Sequence, residues 1–320
     1  MSELDNQLSL AIHGKPTAAV TYNRTASLKK MRFRENVLAY TFLAPSLFLF
    51  AIFLFYPILK SVYLSLHSTD PTGQVAAYVG LDNFKELFSS GLFWNGMKVT
   101  AMFSLLTVPT SILLALLLAA LTHNLRWGKR GFQFAFSLPL VLAVGTSSII
   151  WKFLFHPSLG MLNYFLGLAG VAPIPWLVSP EWALLSVSLM TVWMNLGFNY
   201  IILSSGLQGI PDELYESAKI DGAGAVTMFR IITMPLLSPT LFFVVLVSII
   251  SAFQSFGQIN ILTSGGPMDS TSVFVFSIFQ ESFINFRFGA GSTQALMLFL
   301  VILLLTYIQF KWVERKVHYQ

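Results

Sequence analysis

The sequence has 320 residues, of which 55% are hydrophobic and 10% are charged, and its mean hydropathy is +0.70. Because a soluble domain carries about 25% charged residues, this composition excludes an ordinary water-soluble enzyme and indicates a membrane protein with several spans. The chain has no cysteine, which excludes disulfides and cysteine-ligated zinc, and its net charge of +5 is distributed in a way that indicates membrane topology rather than a nucleic-acid partner.

A helix that crosses the hydrocarbon core needs about 20 mostly apolar residues. The segments that meet this requirement are residues 37–59, 99–121, 132–155, 182–207, 236–256 and 295–311. Two further apolar stretches, 159–178 and 273–288, contain glycines and prolines or charges, so we expect them to be re-entrant or interfacial. The sequence therefore predicts an all-α polytopic fold with six transmembrane helices.

The basic residues predict the orientation of these spans. Residues 1–36 form a polar, basic tail, so the first span is not the apolar stretch of a cleavable signal peptide. If this tail is cytoplasmic, most of the 19 basic residues fall on the cytoplasmic side, as the positive-inside rule requires. We therefore expect two regions, a cytoplasmic tail over 1–36 and a transmembrane domain over 37–320, with both termini inside the cell.

A short amphipathic helix is predicted on the outer side, between the first two spans. Asp82 is expected to cap it, and Phe84, Leu87 and Phe88 share one face at i, i+3 and i+4 spacing. We expect this helix to lie flat at the membrane interface.

The predicted spans contain no ionisable group that would couple transport to protons, and the chain shows no common catalytic motif. All acidic residues and histidines lie outside the cores of the predicted spans, which disfavours a proton-coupled carrier and an intramembrane enzyme, although sodium coupling through backbone carbonyls stays open. The chain also lacks a phosphate-binding P-loop, an H-E-x-x-H zinc motif and a G-x-S-x-G nucleophile motif. We therefore expect a protein that is not an enzyme, and any active transport must draw its energy from another polypeptide.

The connection over residues 208–235, predicted to be cytoplasmic, is long for a link between two spans. Pro211 is expected at the first helical position, the acidic Asp212 and Glu213 suit the positive end of the helix dipole, and Gly222 suits the end of the helix. A second short helix is expected before Pro235. Such an elbow is either a socket for a partner protein or an amphipathic linker on the membrane surface, and the spacing alone does not separate the two.

The same loop resembles the "EAA" loop of ABC-importer permeases. Glu216-Ser217-Ala218, three residues, Gly222, nine residues and Ile232-Thr233-Met234-Pro235 follow the family pattern, except that Ser217 and Met234 replace alanine and leucine. The run from Asp221 to Gly224 matches the form usual in the carbohydrate-uptake branch. Residues 44–46, 56–57, 80–84 and 262–267 are similar to the maltose- and glycerol-phosphate-type permeases.

This resemblance implies a maltose-permease-like fold in a prokaryotic cytoplasmic (inner) membrane. It implies as partners a second permease subunit, two ATPase subunits that bind ATP and magnesium, and an extracellular solute-binding protein, with no cofactor bound by this chain. The first loop helix would enter a cleft of the ATPase, and Glu216 would meet a basic residue there. The residues it assigns to this coupling are Glu213, Glu216, Ser217, Ala218, Asp221, Gly222 and Ala223.

Polar side chains within two spans predict a route for solute. Span five carries Ser248, Ser251, Ser255 and Gln258 in one helical stripe, and span four carries Thr191, Asn195 and Asn199. Hydroxyl and amide groups bind sugars, but they also join membrane helices. We favour the joining of helices for any single serine and the solute pathway for the two asparagines, which are costlier to bury unpaired. The resemblance to a maltose-type subunit adds Phe198 to the predicted pathway residues, which are Asn195, Phe198, Asn199, Ser248, Ser251 and Ser255, whereas Ala252 departs from that subunit.

The solute class follows less directly. Because no arginine or lysine lies at mid-membrane, the sequence favours a neutral sugar or related polyol. The carboxyl-terminal residues 310–319 are similar to those of glycerol-3-phosphate permeases, so a glycerol-3-phosphate or glycerophosphodiester permease is the alternative, ahead of an ion-coupled secondary carrier.

Overall fold

The computed structural model describes residues 24–123, 125 and 127–312. The predicted tail up to residue 23 and the predicted inward-facing Arg126, Arg315 and Lys316 lie outside the described residues. The described chain up to Leu59 forms one compact unit and the chain from Lys60 onward forms a second.

The secondary structure is helical apart from one small hairpin on the side predicted to be outside. The elements are α1 (Arg24–Phe50), a π-helical turn (Ala51–Phe55), α2 (Tyr56–Ser65), β1 (His67–Thr69), β2 (Val75–Tyr78), α3 (Asp82–Ser89), α4 (Gly91–His123), α5 (Lys129–Val141), α6 (Val144–Leu154), α7 (Met161–Leu168), α8 (Pro180–Gln208), α9 (Asp212–Ile220), α10 (Ala225–Met228), a π turn (Phe229–Thr233), α11 (Met234–Phe253), α12 (Gly257–Leu262), α13 (Phe274–Phe279), a π turn (Gln280–Ile284) and α14 (Phe288–Trp312). Strands β1 and β2 pair antiparallel, with His67 opposite Tyr78.

The predicted six-span fold is confirmed, with a different third span. Five helical stretches are long and apolar enough to cross a membrane: Arg32–Ser65, Gly91–His123, Pro180–Gln208, Ala225–Phe253 and Phe288–Lys311. The sixth is the pair α5 and α6, which is bent by 102° at Leu142 and Ala143. The prediction of one continuous helix over 132–155 is therefore wrong.

Pro57 and Pro235 each follow a π turn within a long helical stretch. The Tyr56 N–H donates to the Ala51 carbonyl one residue before Pro57, and the Met234 N–H donates to the Phe229 carbonyl one residue before Pro235. A proline ring clashes with the carbonyl four residues earlier in an α-helix, and the wider turn makes room for it. The predicted separate helix before Pro235 is therefore continuous with span five.

The core of the second unit is formed where α4, α8 and α11 pack together, around the buried side chains of Tyr200, Leu203 and Leu237. Gly206 on α8 allows the close approach of α11, since a Cβ there would lie 2.7 Å from Thr240 Oγ1. The hydroxyls of Thr122 and Tyr200 lie 2.8 Å apart and join α4 to α8.

The two short outer segments are buried to a greater degree than predicted. Leu81, and not Asp82, occupies the cap position of α3, while Asp82 accepts a 2.7 Å bond from Lys85 Nζ. Leu87 of α3 is buried in the same hydrophobic cluster as Phe274, so one face of α3 packs against the protein, and its position at the membrane interface stays a prediction. The stretch 274–284 is too short to span, as predicted, and Phe274 is fully buried.

Candidate coupling helix and solute cavity

Helix α9 occupies the position predicted for the first helix of the loop. Pro211 precedes it, with an extended ψ of 132°, and is the cap residue, so the prediction of Pro211 at the first helical position is wrong by one residue. Asp212 and Glu213 lie in the first turn and Lys219 in the last, which suits the helix dipole at both ends.

The end of α9 is fixed by backbone hydrogen bonds around Gly222. The Gly222 N–H donates to the Lys219 carbonyl at 3.1 Å, and the Ala223 N–H donates to the Ala218 carbonyl at 2.9 Å. This pair of bonds is a Schellman motif, which requires a left-handed residue at its centre. Gly222 supplies it with φ +80°, so the predicted helix end at Gly222 is confirmed.

Every residue of α9 is exposed or half-buried. Of the predicted stripe, Tyr215 and Ala218 are half-buried while Leu214 is 42% exposed. The Tyr215 hydroxyl lies 2.9 Å from Thr233 Oγ1, which ties α9 to the first turns of span five. The helix is therefore held on one side and open on the other.

A cleft of about 360 Å³ lies between α9 and the adjacent ends of α4, α8 and α10. Glu216, Asp212, Lys219 and His123 line it together with apolar side chains of the elbow. Within the described part of the chain, Glu216 has no ion-pair partner. The seven predicted coupling residues all lie on α9 or in the turn that ends it, and their contact with an ATPase stays a prediction.

A second cavity, of about 320 Å³, lies where two spans are interrupted. Helix α11 ends at Phe253 and α12 begins at Gly257, and this break lies beside the bend between α5 and α6. The predicted stripe from Ser248 to Gln258 therefore does not lie on one continuous helix. The residues that line the cavity are Val144, Thr191, Met194, Asn195, Ser251, Gln254, Ser255, Phe256, Gly257 and Gln258.

The polar groups of this cavity are partly organised already. Gln258 is 7% exposed, and its Nε2 donates to Thr191 Oγ1 at 3.4 Å. The Ser255 hydroxyl donates to the Ser251 carbonyl at 3.0 Å. The lining, as far as the structure describes it, is uncharged and presents amides and hydroxyls.

The predicted pathway residues separate into two groups. Asn195, Ser251 and Ser255 line the cavity, whereas Phe198 is half-buried outside its lining. Asn199 is 1% exposed, donates from Nδ2 to Ser111 Oγ at 3.2 Å and accepts from Ser248 Oγ at 3.4 Å. In this conformation Asn199 and Ser248 thus join α4, α8 and α11, and they do not reach the cavity. Contact of any of the six with solute stays a prediction.

Sequence reasoning missed Val144, Met194 and Phe256, because Pro139 and Gly145 in the run 132–155 do not by themselves locate the bend that brings Val144 to the cavity. The outer pieces α6 and α12 pack against each other there. A Cβ on Gly257 would lie 3.1 Å from Val144 Cγ1, and Lys152 Nζ donates to the Ile261 carbonyl at 2.9 Å. In the sequence, only the small Gly257 and the long side chain of Lys152 indicate these contacts.

The chain was compared with known families and proteins. Residues 29–319 match the family model described as "Binding-protein-dependent transport system inner membrane component". The sn-glycerol-3-phosphate transport system permease protein UgpA of Agrobacterium fabrum is 35% identical over 293 residues, which cover 91% of this chain and 100% of the relative. The protein of the same name from Rhizobium meliloti is 33% identical over 91% of this chain and all of the relative.

Solved structures share the fold. A chain in the crystal structure of a bacterial alginate ABC transporter, in complex with an alginate pentasaccharide-bound periplasmic protein, superposes with a TM-score of 0.79 at 23% identity. The match covers 89% of this chain and 96% of the other. A second structure, of a bacterial ABC transporter involved in the import of the acidic polysaccharide alginate, gives a TM-score of 0.77 at 24% identity, over 89% of this chain and 98% of that chain.

Proposed function

The chain belongs to the family of binding-protein-dependent transport system inner membrane components, the permeases of ABC importers, and on that premise we propose that it carries a sugar or related polyol through the cavity at the breaks of spans three and five, driven by a separate ATPase that docks on α9. The proposal requires a second permease, two ATPase subunits that hold ATP and magnesium, and an extracellular binding protein that delivers the solute. It places the protein in a prokaryotic cytoplasmic membrane.

The observation that carries the docking proposal is the form of α9. A helix that contributes to the stability of one chain alone buries its apolar side, yet Leu214 is 42% exposed and Ile220 is 86% exposed. The acidic Glu213 and Glu216 face solvent beside them. This combination of exposed apolar and acidic groups, on a helix that the Tyr215–Thr233 bond holds from its other side, suits a partner with an apolar cleft and a basic side chain.

The solute class is supported by the cavity lining. Amide and hydroxyl groups donate to and accept from sugar hydroxyls, and Phe256 adds an aromatic ring to the lining. An anion in a membrane cavity is expected to require a cationic partner, and the described lining offers none. A neutral sugar or polyol is therefore the first candidate. The names of the 33–35% identical relatives make sn-glycerol-3-phosphate the second.

The docking proposal is tested by Glu216→Lys. We expect this variant to insert normally but to lose co-purification with the ATPase and uptake of solute. The reason is that the new lysine would face the basic side chain proposed in the ATPase cleft. Glu35→Lys on α1 is the matched control, since it makes the same charge change at another exposed position. Normal uptake and normal ATPase association in Glu216→Lys would show that α9 does not dock through this residue.

The energy source and the solute are tested separately. Liposomes that contain this chain alone should not accumulate solute, whereas the assembled importer should do so only with ATP inside. Accumulation by the chain alone under an ion gradient would identify a secondary carrier. Measuring which compounds the extracellular binding protein retains distinguishes a neutral sugar from a polyol phosphate.

A further inference from the structure

A groove on the side of the second unit is not part of the coupling site or the solute cavity. It has a volume of about 500 Å³ and lies between α4 and α8, at the ends that the topology places outside. Its lining consists of Asn95, Lys98, Val99, Met102, Leu105, Leu106, Pro180, Glu181, Leu184, Leu185 and Ser270. The polar members lie at one end of the groove and the apolar members continue from it along both helices.

The apolar part has the form of a slot that opens towards lipid. Val99 and Leu184 are buried and form its floor, while Met102, Leu105 and Leu185 are 46%, 73% and 45% exposed along its sides. Since a helix rises about 1.5 Å per residue, the slot extends about 10 Å from Lys98 to Leu105 along α4. That depth is about a third of a hydrocarbon core of about 30 Å, so the slot accommodates the upper part of a lipid chain.

The mouth of the groove carries two opposite charges. Lys98 is exposed and, among the described residues, makes neither an ion pair nor a hydrogen bond. Glu181 accepts a hydrogen bond from Ser179 Oγ and has no ion-pair partner among the described residues. The mouth therefore offers one cation and one anion.

A hydroxyl at the mouth also lacks a partner. Ser270 Oγ is buried and has no hydrogen-bond partner among the described residues. Its neighbour Asp269 is held over the start of α4 by Asn95, whose Nδ2 donates to the Asp269 carbonyl at 3.1 Å. A buried hydroxyl without a partner costs free energy, and a turn of the Ser270 side chain towards a ligand oxygen in the groove would remove that cost.

We propose that this groove binds a phospholipid of the outer leaflet whose headgroup carries both a phosphate and an ammonium, as in phosphatidylethanolamine. The phosphate lies against Lys98 and the Ser270 hydroxyl, the ammonium lies against Glu181, and one acyl chain fills the slot. A headgroup with only a negative charge gains from Lys98 but is opposed by Glu181, so the pair of charges selects the zwitterionic class. This site is independent of the proposed solute and of the coupling helix.

The test is native mass spectrometry of the assembled importer titrated with phosphatidylethanolamine or phosphatidylglycerol of identical acyl chains. We expect the wild-type complex to retain the first lipid in preference to the second. Lys98→Met should weaken both lipids, whereas Glu181→Gln should lower the preference for phosphatidylethanolamine roughly tenfold, as loss of one charge pair of about 1.4 kcal/mol implies. Lys85→Met is the matched control, because Lys85 is an outer lysine that pairs with Asp82 outside the groove.

Three results would overturn the proposal. These are equal retention of the two lipids by the wild type, unchanged retention in Lys98→Met, and occupation of the groove by protein. The last is tested with Leu105→Cys, which is the single cysteine of a chain that otherwise has none. Cross-linking of this cysteine to the second permease would assign the groove to a protein interface, whereas labelling by a lipid-soluble maleimide supports a lipid-facing slot. If the importer with Lys98→Met fails to assemble, the isosteric Glu181→Gln variant still tests the proposal through the ratio in which it retains the two lipids.

Discussion

The hydroxyl of Tyr215 lies 2.9 Å from Oγ1 of Thr233. This contact connects α9 to the first turns of the helix that carries Ser251 towards the solute cavity. A displacement of α9 is thus passed to span five through a side-chain hydrogen bond as well as through the intervening chain.

Tyr215→Phe removes this bond and keeps the aromatic ring. We expect the attachment of α9 to span five to lose about 1 kcal/mol of stability. More ATP should then be hydrolysed for each solute molecule imported. The measurement is the ratio of hydrolysis to uptake in proteoliposomes. Tyr164→Phe, which changes an exposed tyrosine on α7, should leave the ratio unchanged, and an unchanged ratio in both variants would contradict a role for the Tyr215 bond.

Gly222→Ala should disturb the end of α9 without any steric clash. A Cβ at this position meets nothing within 4 Å, but φ is +80°, and a left-handed alanine costs about 1–2 kcal/mol. We expect faster amide exchange in α9 and lower uptake. Gly224→Ala is the matched control, since Gly224 has φ −74° and is equally open, and equal effects of the two substitutions would refute the argument.

The two asparagines of span four should respond differently to alanine. Asn199→Ala removes the bonds to the Ser111 and Ser248 hydroxyls that join three helices, although Ser111 Oγ keeps its bond to the Val108 carbonyl, so we expect thermal stability to fall by about 0.6–2 kcal/mol. Asn195 makes no such bond between helices in the described chain, so Asn195→Ala should lower uptake while thermal stability is unchanged. A stability loss for Asn195→Ala equal to that for Asn199→Ala would contradict the assignment of Asn195 to the cavity.

Gly197→Ala should destabilise the packing of α5 against α8. A Cβ there would lie 2.9 Å from the Leu140 backbone nitrogen and 3.2 Å from the Ser137 carbonyl, and overpacking against backbone costs about 1–3 kcal/mol. Thermal unfolding of the purified complex measures the loss. Gly131→Ala, on α5 with nothing within 4 Å of the added Cβ, should keep or raise the melting temperature.

The stability of the turn between β1 and β2 should depend on pH. The Thr72 hydroxyl, and then the Gln74 and Thr72 amides, donate to Asp70 and lower the pKa of its carboxyl. The stabilisation is therefore complete above the ordinary Asp pKa of about 4 and is lost as the pH falls through the lower folded value. We expect the Gln74 amide to exchange with solvent more readily, after correction for intrinsic rates, only at pH values below about 4. In Asp70→Ala this acid step should disappear, and its persistence would assign it to another group.

The sequence predicts the number of spans and the site of the elbow because both depend on local properties. Apolar length defines the spans, and the left-handed turn at Gly222 marks the end of α9. The resemblance of the elbow to that of a known family predicts membership of that family, and the family match over residues 29–319 confirms it.

The breaks in spans three and five could not be predicted in the same way. Pro139 and Gly145 flank the bend at Leu142 and Ala143, but α5 runs through Pro139 and α6 through Gly145, so neither residue marks where the helix breaks. What stabilises the bend is contact with α12, which is distant in the sequence. The burial of Asn199 was missed for a related reason, because its partner Ser111 lies on another helix.

The bond from Lys152 to the Ile261 carbonyl links the movement of α6 to that of α12. Helices α6 and α12 are each separated from the inner part of their span by non-helical residues, and this bond fastens them to each other. If these two pieces move, they move together unless this bond first breaks. We expect such a joint movement to open or close the cavity from the side of α6 and α12 while α5 and α11 keep their places.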